Sequence, residues 1–218
     1  MKFRSDQPDP RRLTAGFHSR GVLPHLKREG ASYFVTFRLA GTLPAEVLRQ
    51  FKVEREAIME HATAAKRPLT WHEQEELFRW YSSRVDKYLD AGHGDCWLTR
   101  PDIADVVAAA LRHHAGQRFD LLAWVVMPNH VHAVLRPWPN RTLSGILKSW
   151  KGFTAREANK ILQRTGTTFW QEESFDHLIR DDEDMHRCCH YTTMNPVAAR
   201  LCASPEEWKW SSVFRALA

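Results

Sequence analysis

The residues of this 218-residue chain that could do chemistry fall in two places. The first is the run Val125-Val126-Met127-Pro128-Asn129-His130-Val131-His132-Ala133-Val134-Leu135. Its centre, Pro128-Asn129, reads as a turn, because proline presets φ and asparagine tolerates unusual backbone angles. The simplest geometry is a β-hairpin whose second strand opens at His130. Side chains alternate along a strand, so His130 and His132 share one face and Val131 takes the other. Two imidazoles on one face make half of a divalent-metal site. The second place is Tyr191 and Asn195, at i and i+4, which share a face if the segment is helical. A phenol with a pKa of about 10 is a poor nucleophile at neutral pH. A cation on a scissile phosphate would polarise it toward attack and screen the developing charge. A tyrosyl ester conserves the energy of the broken phosphodiester, which suits cleavage followed by rejoining. The oxygen of Asn195 could complete the metal site. Mg²⁺ or Mn²⁺ accepts such mixed ligands, while imidazoles alone suit zinc equally well.

These groups need elements to hold them. Tyr33 to Leu39 is β-branched and aromatic and reads as a strand. From Pro44 to about Ala91 the apolar spacing turns helical, with Lys66 to Thr70 as the break; Thr70 and Glu73 form a capping box for a second helix. Pro101 opens a helix through Ile103, Val106, Val107 and Leu111 that ends near His113-His114, before Gly116. That histidine pair is set aside as a metal site because adjacent helical residues do not face one way. Phe119–Met127 and His130–Arg136 form the hairpin. A helix follows with Leu143, Ile146, Leu147, Trp150 and Phe153 on one stripe and Lys148, Lys151 and Arg156 off it. Thr167 to Gln171 reads as a strand, and Ser174 to Arg180 as a connection. The last informative helix starts in the acidic turn Asp181-Asp182-Glu183-Asp184 and stops about Asn195, ahead of Pro196. Trp208, Trp210 and Phe214 are expected to pack back on the body.

Composition bounds the partners. A formal charge of +5 and a pI near 9.2 favour an anionic partner, with nucleic acid the default. The 43% apolar share suffices for a real core. The N-terminus lacks an apolar signal core, and no apolar run is long enough to span a bilayer. Four cysteines without CxxC spacing fit neither a disulfide framework nor a zinc knuckle. The expectation is a soluble, cytoplasmic protein with no membrane partner. It is read as an irregular basic arm over residues 1–30 and one domain over 31–218, with residues 44–91 as a helical insertion. Arg11, Arg12, Arg20, Lys27 and Arg28 in the arm could touch phosphates.

At this point the sequence resembles a known family. Val126-Met127-Pro128-Asn129-His130-Val131-His132 looks like the HUH motif of single-tyrosine transposases. Trp170-Gln171, Phe175-Asp176-His177-Leu178-Ile179-Arg180 and Tyr191-x-x-x-Asn195-Pro196-Val197 resemble the REP-associated tyrosine transposases within that superfamily. The order of these motifs is specific, whereas HxH alone is weak. The resemblance implies an α+β fold, a ferredoxin-like antiparallel sheet with helices on one face, to which the helical hairpin 44–91 is an addition. It implies a metal-dependent single-stranded DNA endonuclease and strand transferase. The substrate would be a hairpin-forming palindromic repeat, and the tyrosine would attach to the 5′-phosphate and leave a 3′-hydroxyl. Carried over by motif, Tyr191 is the nucleophile and His130, His132 and Asn195 are the Mg²⁺ or Mn²⁺ ligands. Related transposases often have Gln where Asn195 stands. The partner is single-stranded or hairpin DNA, bound by a monomer or homodimer.

Other residues carry two readings. Lys148, Lys151 and Arg156 are DNA contacts or a wet face. His177 touches DNA or makes a structural hydrogen bond. Glu172 and Glu173 are read as solvated, and Trp150 and Trp170 as core. Two other functions suit the same residues: a relative that binds hairpins without cutting them, and a metallohydrolase or nucleotide hydrolase using HxH. A histidine-triad hydrolase would want histidine at position 134, which is Val134.

Overall fold

The computed structural model describes residues 30–67 and 69–216. Within them lies a four-stranded antiparallel sheet in the order β2-β3-β1-β4. The strands are β1 (Tyr33–Arg38), β2 (Phe119–Val126), β3 (His130–Pro137) and β4 (Phe175–Leu178). This is the strand order of a ferredoxin-like βαββαβ unit, whose two crossovers contain α4 (Pro101–Arg112) and α5 (Leu143–Ile161). Between β1 and α4 the chain adds α1 (Ala45–Ala64), α2 (Trp71–Trp80), a π-helical turn (Tyr81–Asp86) and α3 (Lys87–Asp90). After β4 comes α6 (Asp182–Ala198). The anticipated basic arm lies almost wholly outside the described residues.

Every residue of β1 is buried, and β3 is buried except at Arg136. Strands buried on both sides read as continuous apolar runs because both faces are covered. On one face Val35, Phe37, Val131, Ala133 and Leu135 pack with Ile103, Val107 and Leu111 of α4 and with Ile146, Leu147 and Trp150 of α5. On the other face Phe34, Val134, Ala123 and Phe175 pack against Phe51, Leu77, Phe78, Tyr81, Val85 and Leu89 of the added helices and Cys188 of α6. The expectation of helices on one face is thus corrected. The added hairpin is amphipathic and buries its apolar stripe on the second face, the face that carries His130 and His132.

The Thr70–Glu73 capping box forms as anticipated, with the Thr70 amide donating to Glu73 Oε2 at 2.6 Å and the Glu73 amide to Thr70 Oγ1 at 3.3 Å. Trp150 and Trp170 are core residues. Val126 donates to the Trp210 carbonyl and Trp208 Nε1 to the Val126 carbonyl, so the C-terminal segment docks on the edge strand β2, though Phe214 stays exposed. All four cysteines are free. Among the described residues no helix is long and apolar enough to cross a membrane.

Two element assignments are corrected. The strand expected over Thr167 to Gln171 reduces to a single bridge between Trp170 and Leu39, and the fourth strand is Phe175–Leu178, read from sequence as a connection. Beyond that bridge the Lys151 ammonium binds the carbonyls of Gln171 and Glu172. The last helix runs through Pro196 to Ala198. A proline so near a helix end forfeits only the one bond its missing N–H would have made.

Candidate functional site

The hairpin turn closes with the Met127 amide donating to the His130 carbonyl at 2.8 Å. Asn129 is wholly buried, and its amide nitrogen donates to the carbonyls of Leu89 (3.0 Å) and His93 (3.1 Å). Those bonds fix the amide orientation, so Asn129 Oδ1 faces His130 Nδ1 at 2.7 Å and must accept its N–H. The Nε2 of His130 is therefore left with a lone pair. His132 Nδ1 meets Thr36 Oγ1 at 2.8 Å. The two Nε2 atoms face each other at 3.0 Å. Either His132 donates to His130 there, or, with its proton on Nδ1, it offers a second lone pair to the same point. Both rings are fully buried, and burial holds them neutral, pushing His130 down to about 3 and His132 well below its ordinary value. Neutral imidazole is the form that binds a metal.

Helix α6 starts at Asp181, whose side chain accepts from the Asp184 amide. It lies across β2 and β3 and turns Tyr191 and Asn195 toward the histidines. The Tyr191 ring stands 5.6 Å from that of His132, centroid to centroid, and edge-on to Phe34 and Phe78. Its hydroxyl donates to Asp86 Oδ2 at 2.7 Å. Burial, then the nearby Asp86 carboxyl, raises the phenol far above its ordinary pKa. Asn195, 2% exposed, reaches Asp90 Oδ2 from Nδ2 at 3.4 Å. The four residues singled out from sequence are thus gathered at one point by a hairpin and a distant helix.

Two residues at this point were not anticipated. Asp86 closes the π-helical turn and Asp90 ends α3, one helical turn apart. Asp86 is completely buried; Asp90 Oδ1 lies 3.6 Å from His130 Nε2. Burial raises Asp86 well above the carboxylate range and Asp90 to about 7, the latter opposed by the hydrogen bond from Asn195. The only sequence signal was two aspartates at i and i+4 on a stripe otherwise held by Tyr81, Val85 and Leu89.

The donor set suits a divalent cation. Three buried oxygens here, Asp86 Oδ1, Asp90 Oδ1 and Asn195 Oδ1, have no hydrogen-bond partner. Such orphans are costly unless something else satisfies them. Two nitrogens each about 2.1 Å from an octahedral cation and at right angles would sit about 3.0 Å apart, the spacing of the two imidazoles. Imidazole with amide and carboxylate oxygen is a chemistry that Mn²⁺ and Mg²⁺ accept.

The remaining candidates lie elsewhere. His177 is buried and bonds Asp184 at 2.9 Å. Asp184 also accepts from Arg180 (3.1 Å) and Arg187 (2.6 Å), and Arg187 and Arg180 reach Glu75 of α2. His177, Asp184 and Cys188 have metal-like proximity, but this carboxylate is already saturated by cations. The reading of His177 as a DNA contact gives way to the structural hydrogen bond. Lys151 Nζ is likewise committed, to the carbonyls of Gln171 (2.6 Å) and Glu172 (2.7 Å), and burial lowers it to about 8. It ties α5 to a loop and is not a free cation. Lys148 and Arg156 are exposed on the same helix.

Comparison with known proteins follows the same lines. Residues 98–191 match the family model described as "Transposase IS200 like", a span holding both histidines and Tyr191. Over that span the chain is similar to IS200-like transposases. More particularly, the chain is similar to REP-associated tyrosine transposases: it is 28% identical over 106 residues to a Haemophilus influenzae protein described as one. That match covers 44% of this chain and 60% of the relative's length. Among solved structures, a REP-associated tyrosine transposase bound to a REP hairpin aligns with 87% of this chain and 82% of its own, at 18% identity and a TM-score of 0.44. A Deinococcus radiodurans protein described as a transposase aligns with 73% of this chain and 86% of its own, at 14% identity and a TM-score of 0.29.

Proposed function

We propose that the chain is a divalent-metal-dependent, single-stranded DNA endonuclease and strand transferase that acts on hairpin repeats through a 5′-phosphotyrosine. The observation that carries this reading is the approach of the Tyr191 ring to the His130–His132 pair. His130, His132 and Asn195 would hold Mn²⁺ or Mg²⁺. A bound cation supplies polarisation of the scissile phosphate and screening of its charge. The chain's own work is positional. Asn129 and Thr36 orient the imidazoles, and α6 aims the phenol. Tyr191 Oη forms a bond to phosphorus as the bond from phosphorus to the 3′ oxygen breaks. The phenol proton passes to a base in contact with Oη, and the departing 3′ oxygen takes a proton from solvent to leave as a hydroxyl. The ester retains the energy needed for rejoining to another 3′ end. A soluble cytoplasmic protein, acting as monomer or homodimer on one domain over 31–218, fits this chemistry.

The test is incubation of purified protein with a hairpin oligonucleotide carrying a single-stranded flank, in Mn²⁺ or Mg²⁺, followed by a denaturing gel. The expected result is a covalent adduct that Tyr191→Phe abolishes while hairpin binding persists. An adduct retained in that variant overturns the nucleophile. Tight hairpin binding without cleavage across metals and palindromes would favour a non-cleaving binding protein instead.

A further inference from the structure

We infer that the added helices complete the catalytic site: Asp90 is an anionic fourth donor to the cation, and Asp86 is the base that receives the Tyr191 proton. The inference rests on the function proposed above and assigns residues that lie outside the span shared with IS200-like transposases, residues 98–191.

The geometry carries both roles. Asp90 Oδ1 is buried, unpartnered and 3.6 Å from His130 Nε2. Its other oxygen is held by Asn195 Nδ2, whose own Oδ1 is also buried and unpartnered. Two imidazole nitrogens 3.0 Å apart, an orphaned carboxylate oxygen 3.6 Å from one of them, and the orphaned oxygen of an amide bonded to that carboxyl thus come from four separate positions on β3, α3 and α6. Imidazoles and an amide are all neutral, so without Asp90 the site would set no negative charge against a dication. Adding a carboxylate also moves the preference from zinc toward the harder Mn²⁺ and Mg²⁺. Asp86 already accepts the phenol hydrogen bond at 2.7 Å, inside the range for direct proton transfer. As Oη bonds to phosphorus and the bond from phosphorus to the 3′ oxygen breaks, the phenol proton moves along that hydrogen bond to Asp86 Oδ2, while the departing 3′ oxygen takes a proton from solvent. The two aspartates, four residues apart on one helical segment, serve the two neighbours because Tyr191 and Asn195 are themselves four apart on α6.

Binding of Mn²⁺ to the full chain, read by electron paramagnetic resonance, tests the first role separately from activity. Asp90→Asn should weaken Mn²⁺ binding about tenfold or more, a loss typical of disturbed metal shells. Asp90→Ala should do the same without leaving an amide that could itself ligate. Asp86→Asn should keep Mn²⁺ affinity within about twofold and slow adduct formation about 10²-fold, the scale of a lost general base. Thermal unfolding of each variant without metal establishes that it is folded. Mn²⁺ binding by wild type that is lost in His130→Ala but undiminished in both Asp90 variants overturns the Asp90 assignment and leaves the proposed function standing. Unchanged adduct rates in Asp86→Asn overturn the second role. No Mn²⁺ uptake by the wild type overturns the metal reading of the site itself.

Discussion

The hydroxyl of Tyr191 on α6 donates to Asp86 of the added helical segment over 2.7 Å, joining two parts of the chain 105 residues apart. Because Asp86 is buried and its carboxyl raised well above the usual range, it becomes a competent acceptor only as pH climbs through that elevated value. Single-turnover adduct formation should therefore rise with pH above the ordinary carboxylate range. Asp86→Asn should flatten that rise, since an amide does not titrate. A variant profile that climbs in parallel with the wild type would exclude Asp86 as the acceptor.

The same contact has a stability consequence. Tyr191→Phe removes a donor and leaves Asp86 Oδ2 buried without it, a loss of about 1–3 kcal/mol. Urea denaturation should show a lower midpoint with an unchanged slope. A neutral effect would mean that the carboxyl finds another partner at no cost.

Metal removal should destabilise the protein. A cation bound only to the folded chain adds RT ln(1 + [L]/Kd), about 2.7 kcal/mol at a hundredfold excess over Kd. The melting temperature should rise with Mn²⁺ and fall back with EDTA. Replacing His132 with Ala should remove the response. Metal-dependent stabilisation that survives this change would place the ion elsewhere.

Asp184 sets an acid limit. Burial works to raise its pKa, but the hydrogen bonds and charges of His177 and Arg187, with the Arg180 amide, win and hold it far below the carboxylate range. Stability from a depressed carboxylate is complete above its unfolded value of about 3.9 and drains away as pH falls toward the folded one. Denaturation midpoints should thus drop below about pH 4. Asp184→Asn should erase part of that dependence and cost about 3–5 kcal/mol at neutral pH, as expected for cations stranded beside a broken buried pair.

The lysines on α5 should separate by role. Lys151→Ala should lower stability and leave the salt dependence of hairpin binding unchanged, because its ammonium is bonded to backbone carbonyls. Lys148→Ala and Arg156→Ala should leave stability alone. If either touches a phosphate, the slope of log affinity against log salt should fall by about one for that variant. Equal behaviour of all three would contradict the division.

Much of this was written in local pattern. The alternation through His130 and His132, the i, i+4 pairing of Tyr191 and Asn195, the Thr70–Glu73 box and the acidic start of α6 depend on neighbours a few residues away, so strand and helix periods reveal them. The segment Phe175–Leu178 was misread because its pairing depends on a vacant edge of β1, which no local pattern describes. Which of two readings held for His177 and Lys151 was settled only when Asp184 and the carbonyls of Gln171 and Glu172 were brought alongside. The same holds most sharply for Asp86 and Asp90. Aspartate on a helix usually faces water, and only the burial of the added helices against the histidine face turns these two inward. The sequence by itself determined which side chains could ligate or attack. The tertiary structure alone decided which carboxylates meet them, because contacts between residues about 40 and 105 positions apart arise from packing surfaces and not from spacing along the chain.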